Sequence, residues 1–240
     1  RSTDPALPLR LSGELAAESD GWRLAVDGQI EELSAETLLS HWPEAAAPPA
    51  RRWVAENIHA GSVHDGIFAL RMAPGEPVKS YIDARVEGVE LTYAKHLPRL
   101  EDATGQLTIY DNRLAAIIES GHVTPPEGGQ IDGTGTRFVI PDLRAKPASG
   151  EVTLAASGPL VAALSYLDSP KLEIMRKAGK PVQLGEGHAE VTGRIVVPLK
   201  RGAKREEMEI TAQGVLTDVS SDEVVPGKTL SSDRLLLDLD

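Results

Sequence analysis

Aliphatic and polar residues take turns along most of this chain, and that period of two limits its fold more than any other feature. Leu7, Leu9, Leu11 and Leu15 fall on one side of an extended segment, with Arg10, Ser12 and Glu14 on the other. Leu24, Val26 and Ile30 alternate with Arg23, Asp27 and Gln29, and Ile82, Ala84 and Val86 with Asp83, Arg85 and Glu87. Farther on, Val191, Ile195, Val197 and Leu199 share a side, as do Met208, Ile210, Ala212 and Leu216. Successive side chains of a strand point to opposite faces, so this pattern predicts antiparallel strands with one apolar and one solvated face.

Further strands are expected around 67–72, 106–110, 113–119, 137–140 and 151–156. Turns such as Asp111-Asn112 and Pro125-Pro126-Glu127-Gly128-Gly129 separate them. The stretches 187–199 and 206–219 exceed the roughly 5–6 residues of an ordinary strand. Gly193 and Gly214 lie inside them, where glycine is expected to mark a bulge or bend. A Gly-Val pair recurs at Gly88 and Gly214 with similar flanks, a faint echo that suggests tandem units. Helices are expected over Pro48 to Ile58 and Pro159 to Leu167, with a short one through Met175. The first has Ala50, Trp53, Val54 and Ile58 at helical spacing and suits a helix laid on the open face of a sheet better than one on a membrane surface. The fold class is therefore mainly β: a long twisted antiparallel sheet with two or three short helices covering part of one face.

Composition narrows the function. The net charge of −11 is spread along the chain, which repels phosphate backbones and disfavours nucleic acid as a partner. With no cysteine there is no disulfide, thiolate nucleophile or thiolate zinc site. The histidines His41, His59, His64, His96, His122 and His188 include no i, i+4 pair, so neither a metal nor another cofactor is expected. Gly227-Lys228-Thr229 ends like a phosphate-binding loop, but Asp222 stands where the loop's first glycine belongs and no helical pattern follows. Gly133-Thr134-Gly135-Thr136 reads as a hairpin turn. No nucleophile elbow occurs, and aromatics are too scarce, at 4%, for a sugar-stacking cleft. No catalytic residue is expected, and the chain reads as a non-enzyme.

One block has a more specific likeness. His41-Trp42-Pro43, then Arg51-Arg52-Trp53-Val54 and Asn57-Ile58, then Gly61-Ser62-Val63, resembles a stretch of the AsmA-like proteins, with the YhdP branch most similar. Leu97-Pro98 to Leu107, Ser157-Gly158-Pro159-Leu160 to Pro170, and Gly187 to Leu199 resemble other passages of that family. The resemblance implies a segment of a periplasmic, inner-membrane-anchored protein of a Gram-negative bacterium. It also implies a repeating β-groove, as in bridge-like lipid transfer proteins of the YhdP and TamB type, and a part in phospholipid movement or outer-membrane assembly. The chain opens Arg1-Ser2-Thr3 and closes within the alternating run Leu235–Asp240, so it is expected to be one β-rich segment, 1–240, of a larger protein, with a possible subdivision into 1–80 and 81–240.

If a groove exists, its expected lining is Val191, Ile195, Val197, Met208, Ile210 and Leu216, and its expected partners are phospholipid acyl chains, neighbouring repeats of the same chain and other envelope proteins. The alternative is a structural or protein-docking module without lipid binding. Alternation alone does not separate the two, because an open trough and a closed core both turn every second residue inward.

Overall fold

The structure is a computed structural model that describes residues 8–200, 202–225 and 227–239; Leu7, Pro226 and Asp240 lie outside them. Twelve strands form a single antiparallel sheet. In chain order these are β1 (Leu9–Glu18), β2 (Gly21–Ser34), β3 (Ile58–Met72), β4 (Lys79–Leu91), β5 (Leu100–Tyr110) and β6 (Arg113–Val123). They continue with β7 (Ile131–Asp132), β8 (Arg137–Ile140), β9 (Ser149–Pro159), β10 (Glu186–Pro198), β11 (Glu209–Val225) and β12 (Lys228–Leu239). Spatial order follows chain order, except that β8 lies beside β6 and β9 and not beside β7. Pairing of β3 with β4 carries the sheet across residue 80 without a break.

Three expected features take a different form. β7 and β8 both lie between β6 and β9, so they are two pieces of one interrupted strand. Gly133–Thr136 is therefore an excursion within a strand, not a hairpin turn. Its Thr136 hydroxyl donates to the Ala155 carbonyl at 2.7 Å and accepts from the Ala155 N–H at 3.1 Å, replacing the missing ladder bonds. Gly193 and Gly214 mark no bulge either: they pair in unbroken register with Ala212 and Val191. A Cβ on Gly193 would stand 2.6 Å from the Thr211 carbonyl oxygen, so close backbone approach explains that glycine. The Gly88–Gly214 echo also dissolves, because Gly88 has φ +60 at a register shift whereas Gly214 sits in regular pairing.

The real bulges lie elsewhere. Register shifts fall at Asp65 in β3, Gly88 in β4, Asp102 in β5 and Asp218 in β11, all with positive φ. Aspartate tolerates the left-handed region better than most residues, and an extra residue bends the strand that carries it. In β4 and β5 the shifts lie toward one end of the strands, and the buried apolar side chains Leu33, Ala84, Leu100, Ala103 and Ala189 fall on the bulged strands and their neighbours. A row of such bends creases the sheet.

The four α-helices among the described residues gather at that same end. The helix α1 (Ala35–His41) joins β2 to α2 (Pro48–Asn57), which runs straight into β3; α3 (Leu160–Leu167) and α4 (Ile174–Lys177) lie between β9 and β10. The first was not expected from sequence, although Ser34 caps it by accepting from the Thr37 N–H at 3.2 Å. Arg51 then donates to the carbonyls of Trp42 and Leu39 at 3.0 and 3.3 Å, satisfying groups that the end of α1 leaves open. The most distinctive sequence block thus has a local job, to lock α1 and α2 together. α1 packs on β2 and β3 and α3 on β9 and β10, so the part of the sheet they cover is confined to one margin.

Candidate functional site

Cross-strand partners in an antiparallel sheet point to the same side, so the register assigns every paired residue to a face. Ile195 pairs with both Val152 and Ile210, Val191 with Ala156 and Gly214, Val197 with Gly150, and Leu216 with Ala189 and Leu235. Met208, just before β11, continues the Ile210 side. All six residues expected from sequence therefore share one face. The same face continues through Phe138, Ala116, Leu107, Ala84, Val63 and Leu33 to Leu24, Leu15 and Leu11 at the other edge.

The lining expected from sequence is confined to the C-terminal strands. The signal in the N-terminal half was the same alternation, and it needed only the assumption of one sheet to be read as one surface. The two phenylalanines of the chain were missed as well. Phe68 lies over Gly28, where a Cβ would come within 2.2 Å of the ring, and Phe138 lies over Gly150 at 2.8 Å. Each ring covers a gap left by a glycine on a neighbouring strand of the apolar face.

Among the described residues this face has no second layer of sheet. Among the described residues no large side chain is wholly buried, and Leu11, Leu15 and Trp22 on β1 and β2 are 60%, 65% and 58% exposed. At the other end of the sheet Ile210, Leu235 and Leu237 are also exposed. The accessible surface is 15546 Å², against about 10,000 Å² for a compact monomer of this mass. The shape is an open sheet rather than a plugged sandwich. β7 and β8 share a position, so the apolar surface crosses eleven strand positions, or about 48 Å at the usual ~4.8 Å spacing.

The opposite face is polar and laced with ion pairs. Arg71 holds both oxygens of Asp27 at 2.7 and 3.0 Å. Arg85 sits between Glu87 and Glu119 at 2.8 and 2.7 Å, and its hydrogen bond keeps the Glu87 carboxyl below the usual range. Where β7 and β8 are interrupted, this face has an open hollow of about 460 Å³ lined by Ser120, His122, Gln130, Asp132, Thr134 and Ser157. Within it the Asp132 carboxylate accepts from the Thr134 hydroxyl at 2.6 Å and the Thr134 N–H at 2.9 Å, which lowers its pKa.

Two serine–histidine contacts occur on this side: Ser157 Oγ to His188 Nε2 at 2.8 Å and Ser62 Oγ to His64 Nε2 at 2.7 Å. Among the described residues neither histidine has a carboxylate hydrogen-bonded at Nδ1, the partner that orients the base in a triad. Nor do three His, Asp or Glu side chains converge in a metal-binding cluster among them.

No helix of the described residues is long and apolar enough to cross a membrane. Compared with known protein families, curated proteins and solved structures, the chain matches none of them.

Proposed function

We propose that the open apolar face is a bed for the acyl chains of phospholipid, and that the chain is a non-catalytic segment of an AsmA-like envelope protein. On this reading it acts in the periplasm, as part of an inner-membrane-anchored protein. The single observation that carries the acyl-chain reading is the continuity of the face: eleven strand positions of aliphatic side chains with no second sheet over them. Burying each methylene contributes about 0.8 kcal/mol, so ten of them supply about 8 kcal/mol before the cost of association. An acyl chain needs only a continuous aliphatic surface, without convergent polar groups.

Native mass spectrometry of the purified chain tests the proposal, together with extraction and identification of any bound lipid. Co-purified phospholipid is expected, and a fluorescent fatty acid should compete for the same site. Clean apo protein that also fails to bind the fatty acid would overturn it and leave the structural or protein-docking module as the better reading.

A further inference from the structure

A connection of about 2–5 residues is enough between two antiparallel strands, yet 26 residues, 160–185, lie between β9 and β10. Long connections inside a compact sheet are ordinarily functional. Leu160, Ala162, Ser165 and Met175 anchor this excursion by burial, and Ser165 Oγ accepts from the Glu127 N–H at 3.1 Å. Leu167 and Ile174 by contrast stay exposed, Ile174 by 44%. The hydroxyls of Tyr93 and Tyr166 lie 3.1 Å apart, which joins the excursion to the connection 92–99 that follows β4. Tyr93 is exposed as well.

The charge of these two connections runs against that of the whole chain. Together they hold Lys95, Arg99, Lys171, Arg176, Lys177 and Lys180 against only Asp168 and Glu173, in a chain of net charge −11. Arg176 and Lys177 take up those two carboxylates, and Gln183 holds Glu127 on the connection between. Lys95, Arg99, Lys171 and Lys180 are exposed and, among the described residues, make no ion pair. The opposite margin is mixed: its connections 141–148 and 199–208 set Asp142, Glu206 and Glu207 among their lysines and arginines.

We infer that this helical margin docks on the surface of an anionic phospholipid bilayer. Leu167, Ile174 and Tyr93 enter the boundary between headgroups and acyl chains, and the four free cations face lipid phosphates. Single apolar side chains set among lysines suit that boundary, which is oily below and charged above. An acidic protein would use the cations but gives no reason for apolar side chains scattered singly between them. The negative charge of the whole chain does not prevent docking. β9 and β10 run back about 35–45 Å from this margin, whereas charges act over only about 8 Å at physiological ionic strength. The bilayer therefore meets the local charge of the margin. Docking in this way needs no lipid on the apolar bed.

Sedimentation of the full chain with vesicles is the test. The chain should bind vesicles of phosphatidylcholine mixed with phosphatidylglycerol, bind far less to phosphatidylcholine alone, and come off as salt is raised. Each cation near the surface is worth about fivefold in binding, so Lys171→Glu with Lys180→Glu should weaken it by about a hundredfold or more. The same double variant should leave the fatty-acid titration unchanged, which separates a failure of docking from a failure of the bed. Ile174→Ser should weaken docking without removing its salt dependence. Lys146→Glu, exposed at the opposite margin, should have little effect. Circular dichroism confirms that each variant is folded. No binding to the mixed vesicles at low salt overturns the inference and leaves the cations to an acidic protein partner. Equal binding to both kinds of vesicle also overturns it, as does binding that survives the double variant or falls as much with Lys146→Glu as with Lys171→Glu.

Discussion

Replacing Ile210 by Asp separates an open bed from a closed core. Ile210 pairs directly with Ile195 on the apolar face and keeps 42% of its surface exposed. Full burial of an isoleucine contributes about 1.5–3 kcal/mol, so the part covered here amounts to about 1–2 kcal/mol. Loss of strand preference adds up to about 1 kcal/mol. The carboxylate reaches water at this site, so no buried-charge penalty is added, and the total is about 2–3 kcal/mol. For a chain of this size that lowers Tm by about 5–10 °C. Lipid retention should suffer more visibly. A carboxylate that displaces two or three methylenes from the bed costs about 2 kcal/mol, or about thirtyfold in affinity. The assay is a thermal melt by circular dichroism beside a fatty-acid titration of the same sample, with Ile195→Asp as a parallel case. A variant that fails to fold, or that loses more than about 4–5 kcal/mol, would mean an unpaired charge in a dry interior. A folded variant with undiminished lipid binding would refute the bed itself.

Two further outcomes follow from local geometry. A Cβ on Gly105 would lie 2.0 Å from the Ile117 carbonyl oxygen, a backbone atom that cannot step aside. Gly105→Ala should therefore cost about 2–3 kcal/mol in urea unfolding, whereas Gly133→Ala, whose nearest neighbour is at 3.6 Å, should cost little. Thr134→Val removes one of the two hydrogen bonds that hold the Asp132 carboxyl below its ordinary pKa, so an NMR titration should show that pKa rising. A depressed folded-state pKa contributes stability above the unfolded value of about 4 and loses it as pH falls through the folded value. The variant should therefore lose less stability on acidification than the parent.

Much of this molecule was legible before any tertiary structure was known. Alternation is a local property, because side chains on an extended backbone must point to opposite sides, and so strands and the identity of their oily face follow from residues such as Leu9-Arg10-Leu11 and Ile82-Asp83-Ala84. The pairs Pro48 with the Arg51–Trp53 block and Pro159 with Leu160–Leu167 announced two helices in the same local way. The helix α1 escaped notice because it is only seven residues long, so its Ser34 cap and its short stripe of Ala35, Leu38 and Leu39 follow directly on a long strand pattern. The bulges escaped because an aspartate at φ near +50, as at Asp65, Asp102 and Asp218, looks in sequence like any other polar strand residue.

What tertiary structure alone decided is whether anything meets the oily face. A strand's own residues carry the same pattern whether the next hairpin folds over to make a second sheet or lies alongside to extend the first. Here every hairpin lies alongside, so the six residues from Val191 to Leu216 that were read as a lining join a surface reaching back to Leu11. Strand order is set by long-range pairing among many turns, and no window of sequence contains it.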